Sequence, residues 1–159
     1  MNANSRSGDL FKVFVEQLRS GNVEQLLEEL DPSFLDVREK ELAFNDPVLL
    51  KGEAYLAEDD LILHFGISTF AELPCSICNE TVKVPINVQN VYHHEPLSEI
   101  KGGVFNMLNV LREAVLLEIP SFAECNNGNC VKRKDLEKYI RKPTANQGEE
   151  PGYRPFENL

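Results

Sequence analysis

A change of hydrophobic period in the middle of the chain limits what it can fold into. From Val37 to Tyr92 the hydrophobic period changes to two. Leu61, Leu63, Phe65, Ile67 and Thr69 fall on one side of such a run, with Ile62, His64, Gly66 and Ser68 on the other. Val82, Val84, Ile86 and Val88 form a second run, opposed by Lys83, Asn87 and Gln89. Successive side chains of a strand point to opposite faces, so both runs predict strands with one buried face. Val48 to Leu56 predicts another strand, and Glu58-Asp59-Asp60 is an acidic turn into the next, which is a hairpin signal. The middle of the chain is expected to be an antiparallel sheet.

The flanks read differently. Residues 10–18 predict a strand entering a turn at Ser20-Gly21-Asn22. Val23, Leu26, Leu27 and Leu30 then recur at helical spacing, with Asn22 as N-cap and Asp31-Pro32 as the stop. After a loop from Pro96 to Gly103, residues 104–119 predict an apolar helix lined by Val104, Met107, Leu108, Leu111, Val115 and Ile119, ended by Pro120. A second helix is expected after Cys130, with Leu136, Tyr139 and Ile140 inward and Lys134, Lys138 and Arg141 outward. From Pro143 the chain is polar and rich in Gly, Pro, Asn and Glu, a composition that predicts disorder. Tyr153, Phe156 and Leu159 interrupt that tail as potential anchors. The expected architecture is α+β: an antiparallel β-sheet packed by C-terminal helices, with a two-part cysteine cluster. One domain covers residues 8–142, and a disordered tail with a short aromatic motif covers 143–159. A length of 159 residues and an apolar fraction of 42% suit a single domain with an ordinary core.

The four cysteines come as two close pairs, Cys75 with Cys78 and Cys125 with Cys130. The first pair falls on the turn between two expected strands. A Cys-x-x-Cys turn brings both sulfurs to one side, and two such pairs complete a four-sulfur zinc shell at Zn–S of about 2.3 Å. The second loop is longer, but Asn126, Asn127, Gly128 and Asn129 tolerate left-handed backbone angles and can fold back on an ion. With 46 residues between the pairs, the match to a compact zinc ribbon is loose. Free thiols, a redox pair or two disulfides are the other readings. The polar start, Met1 to Gly8, lacks an apolar leader, so a reducing, cytoplasmic compartment is expected, where structural disulfides are disfavoured. Thioredoxin-like chemistry fits poorly, because a strand from Glu80 follows the pair instead of a helix.

Charge narrows the partners. The chain carries −10, which argues against a protein that coats nucleic acid with its whole surface. One basic patch exists: Lys132, Arg133, Lys134, Lys138, Arg141 and Lys142. With Asp135 and Glu137 that stretch carries +4, so the remainder carries −14. No run approaches the ~18 apolar residues that cross a membrane. No catalytic set emerges. His64 reads as a sheet residue. His93 and His94 are adjacent, so their rings point to opposite faces and at most one could ligate a metal in place of Cys130. No glycine-rich phosphate loop or Gly-x-Ser-x-Gly elbow occurs, and the carboxylate runs read as solvated faces. The chain is expected not to be an enzyme.

The order of these parts resembles the YceD family, the large ribosomal RNA subunit accumulation proteins of bacteria and chloroplasts. The matching pieces are Gly52-Glu53-Ala54-Tyr55-Leu56, Cys75-Ser76-Ile77-Cys78-Asn79-Glu80, Leu111 to Pro120, Cys125 to Cys130, and Arg154-Pro155-Phe156-Glu157-Asn158-Leu159. Together they span roughly residues 8–159. The resemblance implies a bacterial-type factor in accumulation or maturation of large-subunit ribosomal RNA, without an enzymatic reaction. The chain departs from the family after the second pair. Members often carry further cysteines there, whereas Val131-Lys132-Arg133-Lys134 follows here.

Two function classes follow. One is a ribosome-assembly factor with a structural zinc ion, touching ribosomal RNA or a precursor particle through Lys132, Arg133, Lys134, Lys138 and Arg141. The other is an acidic adaptor that docks on a protein through Tyr153, Phe156 and Leu159. A thiol oxidoreductase is a third. None involves DNA or a membrane.

Overall fold

The alternating segments pair in the order in which the chain supplies them. The computed structural model describes residues 9–140. A short strand β1 (Lys12–Phe14) and one helical turn α1 (Val15–Leu18) lead to β2 (Glu24–Leu30), β3 (Val48–Ala57), β4 (Asp60–Pro74) and β5 (Thr81–Pro96). These last four strands lie side by side in that order, each antiparallel to the next. β3 and β4 meet at the two-residue turn Glu58-Asp59, with Glu58 in the left-handed region. After β5 comes β6 (Val104–Asn106), which pairs antiparallel with β1, and then helix α2 (Leu108–Leu117).

One face of the four-stranded sheet is the core. Leu26, Leu30, Val48, Leu50, Ala54, Leu61, Leu63, Phe65, Ile67, Ile86 and Val88 are buried there. Val13, Leu18, Leu35, Met107, Leu111 and Val115 cover them. Met107, Leu111 and Val115 stand four residues apart, so they form one line along the helix facing β4 and β5. Leu108, expected on that line, is only half-buried beside it. The Arg112 side chain donates to the Leu35 carbonyl at 2.7 Å and ties the helix to the turn after β2.

Two irregularities shape the sheet. Phe65 pairs with Val91 but Ile67 pairs with Val88, so Gly66 faces two residues of β5. That is a β-bulge, with Asn90 at φ 55. The extra residue reverses the alternation of β5, so Val88 and Val91 both turn inward. At Gly52 the strands approach too closely for a side chain. A Cβ there would lie 2.6 Å from the Phe65 Cα and nearer still to the His64 carbonyl oxygen.

The α+β architecture and the hairpins stand as read from the sequence, but four elements differ. Residues 24–30 are an edge strand, not a helix. Asn22 is not an N-cap; it follows the helical turn Arg19–Gly21 as its C-cap, and its amide donates to the Gln17 and Arg19 carbonyls. Of residues 10–18 only 12–14 are strand, and of 104–119 the first three pair with β1 before the helix begins. After Cys130 the helix is a single turn, Arg133–Leu136. Leu136, Tyr139 and Ile140 do not face inward; they are 41%, 82% and 64% exposed. The tail, Arg141 and Lys142 lie outside the described residues. Among the described residues no helix is long and apolar enough to cross a membrane.

Candidate metal centre

The first cysteine pair is set by the end of a strand. β4 runs into Pro74, and Cys75 follows at the start of the turn to β5. The Cys75 N–H donates to the Glu80 carbonyl at 2.8 Å and the Asn79 N–H to the Cys75 carbonyl at 2.9 Å. Asn79 closes this turn at φ 60, an angle asparagine adopts more readily than most residues. Cys78 is thereby brought back beside Cys75.

The second pair is carried there by a short parallel bridge. Ala123 pairs with Cys75, and the Ala123 carbonyl accepts from both the Ser76 N–H (2.8 Å) and the Ser76 hydroxyl (2.7 Å). Cys125 follows two residues later. Asn126, Asn127 and Gly128 then all take positive φ, 53°, 53° and 86°. Three left-handed residues in succession reverse the chain within one loop and return Cys130 to the cluster. Asparagine and glycine are the residue types that accept this at low cost.

All four sulfurs lie within 4.8 Å of one another. Cys78 and Cys125 Sγ are 3.7 Å apart, close to the edge of about 3.8 Å in a tetrahedron with 2.3 Å arms. That separation is far beyond a disulfide bond. Cys75 and Cys130 are buried, and Cys78 and Cys125 are half-buried. Burial opposes a thiolate at Cys75, but N–H donors from Cys125, Cys78 and Ile77 outweigh it and bring its pKa down to about 6. The Cys125 N–H lies 3.4 Å from the Cys75 sulfur. Cys125 is pushed the other way, first by the Cys130 sulfur and then by burial. At Cys78 a Glu80 N–H favours the thiolate, but burial and the Cys75 sulfur prevail and raise its pKa. Four sulfurs this close compete for negative charge, and a cation at their centre relieves that competition. The donor set fits a soft or borderline ion such as zinc.

Glu124 and Arg133 brace the second loop. The Glu124 carboxylate, mostly buried, accepts from the Cys130 N–H at 2.9 Å and from Arg133 Nε at 3.1 Å, and Arg133 Nη2 reaches its other oxygen. The guanidinium holds the Glu124 carboxyl below the usual carboxylate range. The clasp closes the loop from both ends. Arg133, expected as an RNA contact, thus has its guanidinium engaged at the metal centre.

Neither protein families nor curated proteins nor solved structures give a match to this chain. What defines the site is its own geometry. The expected four-cysteine set is brought together. Lys132, Lys134 and Lys138 are exposed beside it and form no ion pair among the described residues. The histidines are elsewhere: His64 stacks on Tyr92 at 4.1 Å, and His93 bonds Glu95 at 3.1 Å and stacks on Phe105. Ser76, Ala123 and Glu124 are the residues the sequence reading missed. Only the position of Glu124 next to Cys125 hinted at a role.

Proposed function

We propose that this chain is a non-enzymatic, cytoplasmic factor in large-subunit ribosomal RNA accumulation, with a structural zinc ion held by Cys75, Cys78, Cys125 and Cys130. The observation that carries the reading is the four-sulfur cluster followed directly in the chain by the cationic segment from Lys132 to Lys138, whose Arg133 is bonded to Glu124 and to the Cys130 carbonyl. A complete sulfur shell leaves no open position for a substrate water, so such an ion acts as a brace. The brace fixes where the lysines stand on an otherwise acidic body. Lys132, Lys134 and Lys138 are then the phosphate contacts, and Arg133 holds the loop that presents them. The resemblance to the YceD proteins supplies the choice of ribosomal RNA among nucleic acids.

Two measurements test this. Elemental analysis of protein purified without chelator should give one zinc per chain, and Cys78→Ser should lower it. Binding to a ribosomal RNA fragment should weaken steeply with salt. Replacing Lys132, Lys134 and Lys138 by Glu should abolish binding without unfolding, since all three side chains are exposed. If the triple variant binds as well as the parent, the RNA reading is wrong. Docking through Tyr153, Phe156 and Leu159 then becomes the better account.

A further inference from the structure

The sheet ends at β2, which pairs with β3 on one side only. In an antiparallel ladder alternate residues turn their N–H and C=O away from the neighbour. Along the outer side of β2 those groups have no backbone partner among the described residues. An open edge of this kind is a template for another strand. On the solvent side of the sheet Leu27 is 73% exposed and Leu49, on the next strand, 50% exposed. They lie in a shallow basin of about 890 Å³ that crosses β2, β3, β4 and β5. Glu28, Glu29 and Glu53 line it too, against Lys51 as the one lysine or arginine.

We propose that the free edge of β2 takes an extended, lysine- or arginine-bearing segment of a partner protein as a fifth strand. Backbone hydrogen bonds would supply the pairing, and alternate side chains of the added strand would lie beside Leu27. The sign of the charge selects the occupant. β2 itself carries Glu24, Glu28 and Glu29 and no cation. A second copy would bring six carboxylates to one seam, which opposes self-pairing. The same carboxylates attract a cationic strand, so one feature excludes the wrong partner and favours the right one. This surface is separate from the metal centre and its lysines, and it holds whether or not the RNA reading does.

The test uses the full chain and a synthetic peptide of alternating lysine and valine, as long as β2. The control has the same charge but is interrupted by prolines, which cannot complete a ladder. Hydrogen exchange followed by NMR should show β2 amides that exchange fast in the free protein and slow with the lysine–valine peptide. Glu28→Lys with Glu29→Lys should weaken binding about tenfold. Unchanged β2 exchange overturns the proposal. So does equal binding of the proline control, which would mean attraction by net charge alone. So do β2 amides already protected in a self-associated free protein, which would assign the edge to a second copy.

Discussion

Gly52→Ala tests the fold at its tightest point. The added methyl would sit 2.6 Å from both Cα and Cβ of Phe65. Ordinary carbon contacts are about 3.5–4.0 Å, so the overlap is roughly 1 Å. The obstacle includes the backbone of β4 and cannot rotate away, so β3 and β4 must part where they are paired. Overpacking of this kind costs about 1–3 kcal/mol, and a backbone obstacle puts this site at the upper end. Alanine also restricts the unfolded chain, which returns about 0.4–1 kcal/mol. A net loss of about 2 kcal/mol is expected. In urea, followed by circular dichroism, the midpoint should fall by about 1 M with an unchanged slope. Gly66→Ala is the internal comparison. Its Cβ would meet only the Val88 carbonyl oxygen, at 3.0 Å, and then nothing nearer than 3.8 Å. It should cost distinctly less. A Gly52→Ala protein within about 0.5 kcal/mol of the parent, or a Gly66→Ala protein equally destabilised, would refute the close-approach argument.

Leu111 is fully buried in the line of α2 that faces the sheet, so Leu111→Ala should cost about 2–5 kcal/mol by the same urea assay. Lysine at the exposed Leu117, on the same helix, should leave the midpoint nearly unchanged. Glu24 predicts a pH dependence. Burial raises its pKa, and one of its oxygens has no hydrogen-bond partner among the described residues. The folded state therefore bears a penalty for the charge at neutral pH, and the penalty fades as the pH falls through the raised value. Glu24→Gln should be more stable than the parent at pH 7, with the gain gone below the ordinary carboxylate range. A gain that persists at low pH would show that charge is not its cause.

The sheet was legible because period two, sustained over long runs, suits a strand and almost nothing else. Leu61 to Thr69 and Val82 to Val88 point inward as their alternation requires. The bulge was not legible, since nothing in Gln89-Asn90 marks one extra residue. β2 was misread for a physical reason. Leu26 and Leu30 fit helical and strand spacing alike, and Glu-Gln-Leu-Leu-Glu-Glu-Leu has high helix propensity. Pairing with β3 overrides that propensity. The helix after Cys130 failed for the opposite reason. Its spacing was amphipathic, but among the described residues no apolar surface covers Tyr139 or Ile140. The cysteine pairs were legible locally, as two turns. What joins them, the Cys75–Ala123 bridge and the Glu124–Arg133 clasp, depends on contacts between positions with no spacing rule.

The placing of the two cysteine turns also has a meaning in time. A ribosome delivers β2, β3, β4 and β5 as consecutive hairpins, and neighbouring strands can pair as they emerge. β1 waits for β6, and the first cysteine pair waits for a segment that is made later still. Until Cys125 and Cys130 leave the exit tunnel, Cys75 and Cys78 offer an ion half a shell, and a chain stopped at α2 would own a sheet without a lock. If the four sulfurs hold an ion, its full shell would close only after the second turn is made, so an ion held by all four would mark a chain whose translation has passed that turn.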